Sequence, residues 1–148
     1  MSGDKLVGIL PVRDRLPPDL DVLAQPAAAE GIRTITVVQD EWASGANRFE
    51  GPGEVLLVAR LSGAIVGIGG MTRDKNVPDA LRMRRYYILP KHRRQGIGRM
   101  LNERLLVAAA GNARSVTLRA GSAHAGAFWE RLGFERVVAE THTHQLWL

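Results

Sequence analysis

Cysteine is absent from this sequence. A disulfide framework, a thiolate nucleophile and a cysteine-based zinc site are therefore excluded. Apolar stretches are short as well, and none approaches the roughly 20 residues that a helix needs to span a bilayer. The first five residues, Met1–Lys5, lack the basic and then apolar pattern of a signal peptide. We therefore expect a cytoplasmic protein that has no membrane association and holds no metal.

The composition is otherwise that of an ordinary globular protein, with 45% hydrophobic and 24% charged residues. A chain of 148 residues has the size of one domain and can bury a real core. We expect residues 1–148 to form a single domain.

The net charge of +5 is concentrated in one part of the chain. Much of the excess comes from Arg82, Arg84, Arg85, Lys91, Arg93, Arg94 and Arg99. A DNA-binding face would be expected to carry base-reading side chains among its cations, or a recognised motif, and neither is found. The cluster fits a small ligand with several phosphate charges better, so nucleic acid is not the expected partner.

The segment Arg93–Gly98 (RRQGIG) lies between an extended run that ends at Pro90 and a helix-like run that begins at Arg99. The first backbone N–H groups of a helix lack partners, and the helix dipole and nearby guanidiniums also favour an anion. Glycines at this place let a ligand approach the backbone. The sequence predicts a pyrophosphate-binding loop with contacts from Arg93, Arg94, Gln95, Gly96, Ile97, Gly98 and Arg99.

Two common phosphate motifs do not fit this loop. A Walker-type loop needs Lys and then Ser or Thr after the last glycine, whereas Gly98 is followed by Arg99 and Met100. The dinucleotide-binding fingerprint needs a third glycine where Leu101 stands.

Hydrophobic periodicity and turn residues predict the remaining elements. Helices are expected at Ala27–Trp42, Met100–Ala110 and Ala123–Leu132, with a helix start at Pro17-Pro18-Asp19 that is interrupted at Pro26. Strands are expected at Leu6–Val12, Glu54–Leu61, Ala64–Thr72, Leu81–Leu89, Ser115–Ala120, Glu135–Glu140 and Thr141–Leu148. This mixed order favours an α+β sandwich over a doubly wound parallel sheet.

The stretch from Leu81 to Gly98, with the helix after it, resembles the acetyl-CoA-binding motif of the GCN5-related N-acetyltransferase (GNAT) family. That motif reads strand, Pro, basic linker, R/Q-x-x-G-x-G/A, helix, and Arg93, Gly96 and Gly98 fill its fixed positions. A second segment, Ala125–Phe134 (AGAFWERLGF), is similar to the family signature A-x-x-F-Y-E-x-x-G-F. Two motifs in this order and at this separation identify the chain as a member of the family.

The resemblance implies a three-layer α/β/α sandwich whose mixed, mostly antiparallel sheet is splayed between Leu81–Leu89 and Ser115–Ala120. It also implies transfer of an acetyl group from acetyl-CoA to an amine of a small molecule or a protein, without an acyl-enzyme. The pantetheine would lie between the two splayed strands, and a backbone N–H near Tyr87 or Ile88 would polarise the thioester carbonyl. Further cofactor contacts are expected from Tyr87, Ile88, Leu89, Ser122, Phe128 and Trp129.

The chain departs from the family pattern at two positions that handle protons. Arg82 stands where many relatives have the Glu that acts as general base, and Trp129 stands where many have an acidic Tyr. An indole N–H donates a hydrogen bond but does not deliver a proton at neutral pH. The catalytic residues therefore stay open, with Glu41, Glu54 and Asp79 as candidate bases and Ser122, Tyr86 and Tyr87 as candidate acids.

The acceptor side is less defined. The family places its second helix and the following loop there, so Trp42 and Phe49 are candidate substrate contacts. Arg73, Arg82, Arg84 and Arg85 could instead select an acidic or phosphorylated acceptor. His142 and His144 alternate along a predicted strand, where we expect a solvated face.

Two other functions stay open at this point. One is a CoA-binding sensor or interaction module without catalysis, and the other is acetylation of an aminoacyl-tRNA. The strand-rich C-terminus offers an edge through which two copies could form a homodimer.

Overall fold

The computed structural model describes residues 6–148, so Met1–Lys5, which lack the pattern of a signal peptide, lie outside the described residues. The strands are β1 Val7–Pro11, β2 Val55–Leu61, β3 Ala64–Arg73, β4 Ala80–Ile88, β5 Ser115–Leu118, β6 Glu135–Arg136 and β7 His144–Trp147. The α-helices are α1 Asp21–Ala29, α2 Thr34–Ser44, α3 Ile97–Ala109 and α4 Ala123–Arg131. Short 3-10 turns lie at Pro18–Leu20 and Pro90–His92.

The described strands form one mixed sheet in the order β1-β2-β3-β4-β5-β7-β6. Every neighbouring pair is antiparallel except β4 and β5, which are parallel. The β4–β5 ladder joins Ala80–Arg82 to Ser115–Thr117 and ends there. The mixed, mostly antiparallel sheet of an α+β fold is thereby confirmed.

Helices cover both faces of this sheet. The Cβ position of Gly69 on β3 lies 3.5 Å from Leu105 of α3, which places α3 on one face. On the opposite face, Tyr87 of β4 donates a hydrogen bond to Glu30 at the end of α1. Fully buried side chains fill the layers between, among them Leu20, Leu23, Ile35, Leu56, Ile68, Met71, Leu81, Ile97, Leu101 and Leu105.

A β-bulge in β4 changes which side chains face which helices. Gly70 pairs with Arg84 and Ile68 pairs with Tyr87, so Arg85 and Tyr86 together oppose Gly69 alone. Arg85 takes a left-handed backbone conformation, φ 60°. An extra residue of this kind interrupts the two-residue alternation of a strand. Tyr86 therefore faces α3, whereas Arg85 and Tyr87 face α1 and α2.

The N-terminal helical region differs from the sequence prediction. The single helix expected at Ala27–Trp42 is two helices, because Gly31 adopts a left-handed φ of 74° and ends the first of them. Pro26 does not interrupt α1 but lies inside it. The apolar spacing that predicted one helix is satisfied in α2 by Ile35, Val38 and Trp42, which are all buried.

The C-terminal strands are shorter than predicted, since Glu135–Glu140 and Thr141–Leu148 reduce to β6 and β7. The solvated histidine face is also wrong: His142 and His144 are buried, with 8% and 3% of their surface exposed. Thr141 and Thr143 each lie within hydrogen-bond distance of the following histidine ring. His144 also reaches Glu130 of α4 at 2.9 Å.

Candidate active site

The predicted pyrophosphate loop leaves a run of backbone donors free. Arg94 and Gly96 both have left-handed backbones, with φ values of 63° and 84°. Within residues 6–148, the N–H groups of residues 94–99 have no hydrogen-bond acceptor. A Cβ placed on Gly96 would meet nothing within 4 Å, so this glycine borders open space. Free N–H groups in a left-handed turn at a helix N-terminus form an anion-binding concavity, and we name residues 93–99 the anion cradle.

The arginines of the cradle differ in position. Arg94 and Arg99 are exposed, and Gln95 donates to the carbonyl of Lys91. The Arg93 guanidinium instead turns toward α1, where it forms two hydrogen bonds to Glu30, at 2.8 and 2.9 Å. Its Nε donates to the carbonyl of Ile88. Arg93 thus ties the cradle to the end of β4 and to α1.

Gly98 has a packing role. A Cβ at this position would lie 3.0 Å from the Phe128 ring of α4. The Gly98 carbonyl also accepts a hydrogen bond from the Tyr86 hydroxyl. The absence of a side chain at Gly98 therefore lets α3, α4 and β4 approach one another at the base of the cradle.

A cavity of about 340 Å³ opens where β4 and β5 separate. One wall is mostly apolar and includes Tyr86, Leu118, Ala120, Ala125 and Trp129. The opposite wall carries Arg82, Arg84, Arg85 and Arg119 together with Thr34 of α2. The cavity thus joins the α4 side of the sheet to the α2 side.

Trp129 anchors the apolar wall. Its ring makes edge contacts with Tyr86, Phe128 and Phe134 at centroid distances of 4.8, 5.0 and 5.4 Å, and 7% of the residue is exposed. Burial raises the pKa of the Tyr86 hydroxyl, whose proton is engaged with the Gly98 carbonyl. Tyr86 lines the cavity as a bound phenol rather than a free acid.

The other candidate acids lie differently. Tyr87 faces α1, and burial together with its hydrogen bond to the Glu30 carboxylate raises its pKa to about 12. Ser122 caps α4, where its hydroxyl accepts from the N–H of Ala125 at 3.1 Å. Ile88 and Leu89 lie on the chain between the cavity and the cradle, and Ile97 lies within the cradle as the first residue of α3.

Each candidate base either forms hydrogen bonds or an ion pair with other groups of the protein, or lies away from the cavity. Glu54 accepts hydrogen bonds from the N–H groups of Gly51 and Arg73, and it does not line the cavity. Asp79 is exposed just before β4 and is also not a lining residue. Glu41 pairs with Arg85 of the cationic wall at 3.1 Å.

The candidate acceptor contacts are both buried. Trp42, 8% exposed, lies in the last turn of α2, and its carbonyl accepts from Arg48. Phe49 has a left-handed φ of 53° and packs 2.7 Å from the Cβ position of Gly70. Neither residue lines the cavity.

The sequence analysis did not identify three residues of the site, which are Arg119, Asp74 and Glu30. Arg119 lies two positions after Thr117, so strand alternation would have placed it on the same face as Thr117, which pairs with Arg82. Asp74 is buried and accepts hydrogen bonds from Thr117 and from the N–H groups of Asn76 and Val77. Burial opposes its ionisation, but these hydrogen bonds prevail and lower its pKa.

The role of Glu30 could not be predicted from the neighbouring sequence, because its partner Arg93 lies 63 residues away.

The part of the chain that the structure describes contains no cluster of three His, Cys, Asp or Glu side chains placed to hold a metal ion. None of its helices is long and apolar enough to cross a membrane.

Comparison with known proteins agrees with this geometry. The family model for the acetyltransferase (GNAT) domain matches residues 23–148. The chain therefore belongs to the GNAT acetyltransferase family, as the two sequence motifs predicted. No curated protein matches its sequence significantly.

Solved structures share the fold over nearly the full length. A protein of Exiguobacterium sp. 255-15 assigned as an acetyltransferase is 27% identical, with a TM-score of 0.85 over 95% of this chain and 93% of that one. A GCN5-related N-acetyltransferase from Kribbella flavida is 17% identical, with a TM-score of 0.70 and coverage of 96% and 98%. A GNAT acetyltransferase from Brucella melitensis, solved with acetyl-CoA, is 18% identical, with a TM-score of 0.64 and coverage of 97% and 88%.

Proposed function

We propose that this chain acts as a single-domain N-acetyltransferase that transfers an acetyl group from acetyl-CoA to an amine of a small molecule or a protein. The observation that carries the proposal is that the anion cradle, with its unpaired N–H groups at residues 94–99, lies next to the cavity between β4 and β5. Tyr86 connects the two, because it lines the cavity and donates a hydrogen bond to the Gly98 carbonyl. A donor with a pyrophosphate at one end and a reactive acyl group at the other fits this arrangement.

The chain offers groups for each part of the donor. The cradle N–H groups, with Arg94 and Arg99 beside them, suit the pyrophosphate. Beyond Arg82 the β4 backbone has no β5 partner, so its free groups can bind pantetheine amides as an added strand would. Trp129 and Tyr86 supply an apolar wall beside the thioester. A backbone N–H near Tyr87 or Ile88 would stabilise the oxyanion.

The transfer needs no acyl-enzyme. The amine nitrogen bonds to the thioester carbonyl carbon, the carbon–sulfur bond breaks, and the amine proton passes to water. The departing thiolate is a tolerable leaving group because a free thiol has a pKa of about 8.5. Holding amine and thioester together in the cavity supplies much of the rate.

Thermal unfolding with acetyl-CoA tests the donor. Acetyl-CoA should raise the melting temperature, and the shift should shrink with added salt because phosphate contacts are screened. S-acetylpantetheine is the matched control, since it has the same thioester but lacks the pyrophosphate and should shift the temperature far less. If millimolar acetyl-CoA leaves the melting temperature unchanged, the proposal is wrong.

A non-catalytic CoA-binding module is the second candidate, because Arg82 and Trp129 occupy positions that handle protons in many relatives. Thiol release from acetyl-CoA across an amine panel separates the two functions, since turnover with any acceptor excludes the inert module. Acetylation of an aminoacyl-tRNA would instead show a steep loss of activity between low and moderate salt.

A further inference from the structure

Three arginines of the cavity share one face of the sheet. Arg82 pairs across the sheet with Thr72 and Thr117, and Arg84 pairs with Gly70. Side chains two residues apart on a strand share a face, so Arg82 and Arg84 point the same way. Arg119 lines the same cavity and also a second one of about 340 Å³ that Arg82 and Arg84 line as well. We name Arg82, Arg84 and Arg119 the arginine face.

The guanidiniums of the arginine face are not paired with any carboxylate that the structure describes, although Asp74 and Glu41 lie near enough to act on Arg84 electrostatically. Among residues 6–148, none of the three guanidiniums forms an ion pair or donates a hydrogen bond. The nearby Glu41 carboxylate is already paired with Arg85. Asp74, which lines the second cavity, has its carboxylate held by three donors. Glu140 is exposed at the rim of that second cavity.

Arg84 has a buried hydrogen-bond donor that lacks an acceptor among the described residues. Its Nε is buried without a partner in the described part of the chain. Burial, and then the like charges of Arg85 and Arg82, lower its pKa, and the opposing effect of the Glu41 and Asp74 carboxylates is smaller. A guanidinium nevertheless stays protonated in proteins, so its donors require an acceptor oxygen. A bound anion would supply that oxygen and relieve the repulsion among the cations.

This anion is not the donor pyrophosphate. The cradle begins beyond Pro90, and the four strand steps from Gly70, opposite Arg84, to Val66, opposite Leu89, alone span roughly 13 Å. The arginine face lies on the α2 side of the sheet, whereas Trp129 and the α4 wall lie on the other side of the cavity. An acetyl-CoA held by the cradle would leave the arginine face to the second substrate.

We infer that the acceptor is an anionic amine, which carries a carboxylate or a phosphate that the arginine face binds. The inference rests on the proposed function and names its substrate class. Planar guanidiniums suit both oxyanions because they form paired hydrogen bonds with them. The same cations would repel a second ammonium group, so polyamines and lysine-rich peptides would be poor acceptors.

The arginine face would also assist the chemistry. An alkyl ammonium with a pKa of about 10 exposes a free amine in only about one molecule in a thousand at pH 7. Cations beside the bound amine disfavour its protonated form and increase that fraction. Arg82 would thus favour the nucleophile electrostatically at the position where many relatives have a general base. The ammonium proton leaves to water before the nitrogen attacks.

Matched amine pairs test the inference through thiol release from acetyl-CoA. β-Alanine with its amide tests a carboxylate, O-phosphoethanolamine with ethanolamine tests a phosphate, and spermidine represents a polycation. The preferred anionic member should have a kcat/KM roughly ten- to a hundred-fold above its neutral partner, as expected for charge-assisted hydrogen bonds. Equal or better turnover of both neutral amines, or of spermidine, overturns the inference and leaves the acetyltransferase proposal intact.

Charge-matched variants link the preference to these residues. Arg119→Gln should remove most of the preference for the anionic amine, mainly by raising its KM. Arg114→Gln is the control, because Arg114 is exposed at the opposite end of β5 and lines neither cavity. It should keep the preference, and an equal loss in both variants would contradict the inference.

A direct binding measurement covers the case of no turnover. Calorimetric titration of the full chain, with CoA present, should show saturable binding of the preferred anionic amine that Arg119→Gln weakens and Arg114→Gln does not. Absence of turnover with every amine would refute the proposed function alone. Absence of binding by both anionic amines would refute the anionic acceptor.

Discussion

The Arg93 guanidinium and the Glu30 carboxylate meet side by side, with Nη1–Oε1 and Nη2–Oε2 distances of 2.8 and 2.9 Å. The Tyr87 hydroxyl donates to the same carboxylate at 2.7 Å. The carboxylate therefore joins the cradle, β4 and the end of α1 at one point. Hydrogen bonding from Arg93, opposed by burial and reinforced by Tyr87, lowers the pKa of Glu30.

Glu30→Gln should lower the free energy of unfolding at pH 7 by about 1 kcal/mol, because the ion pair is partly exposed and screened by solvent. A carboxyl whose folded pKa is depressed contributes stability above its unfolded pKa, 4.5 here, and loses it as the pH falls through the folded pKa. Urea unfolding at neutral and acidic pH should therefore show the difference between parent and variant shrinking below about pH 4.5. A difference that grows on acidification would contradict this, and the exposed Glu103→Gln is the control.

Gly96 and Gly111 form a natural pair for testing the cradle. Both have left-handed backbones, φ 84° and 80°, with nothing within 4 Å of a Cβ. Valine at either position should destabilise the fold by about 1–2 kcal/mol through the same backbone strain. Only Gly96→Val should also weaken acetyl-CoA binding, measured by calorimetry on folded protein. Equal donor affinities of the two variants would mean that the cradle is not the donor site.

Gly98→Val should destabilise the protein by about 1–3 kcal/mol through overpacking against Phe128. The double variant Gly98→Val with Phe128→Leu should recover part of that loss, because the smaller side chain makes room for the valine. Urea unfolding of the parent, the two single variants and the double variant gives the coupling. Strict additivity of the two changes would show that the contact does not limit the packing.

Trp129→Tyr brings back the residue that is common in relatives. The smaller ring should lower the free energy of unfolding by about 1–2 kcal/mol, since the indole packs against three aromatic rings. Turnover should hold or rise if the phenol protonates the leaving thiolate. Trp129→Phe is the matched control, because it reduces the ring without adding an acid. If Phe supports turnover as well as Tyr, no acid is missing at this position.

Local patterns in the sequence were enough to predict the site's framework. The cradle and the α4 signature are contiguous, so their loops and helices follow from short-range preferences of Gly, Pro and apolar spacing. The contact partners of long side chains could not be predicted from such local patterns. Arg93 carries the expected charge at the expected position, yet its partner Glu30 lies 63 residues earlier. Asp74 and Thr117 are 43 residues apart.

The bulge in β4 is the second limit on sequence reasoning. Strict alternation would place Tyr86 on the same face as Arg82 and Arg84, but the left-handed Arg85 moves it to the α3 side. Nothing in the Arg84-Arg85-Tyr86 sequence marks such an insertion, because arginine rarely adopts a left-handed backbone. The bulge follows from the pairing of β4 with β3, which sequence alone does not contain.

The short ladder between β4 and β5 makes the sheet two leaves, β1–β4 and β5–β7, hinged along three residue pairs. Each leaf is held together by its own ladders, so the two should exchange backbone amide hydrogens as separate cooperative units. A molecule that forms hydrogen bonds with both β4 and β5 beyond these three pairs would link the two leaves. When such a molecule binds, the amide hydrogens of the two leaves should exchange at one common rate. The donor would then make the whole sheet unfold as one cooperative unit, in addition to supplying the acetyl group.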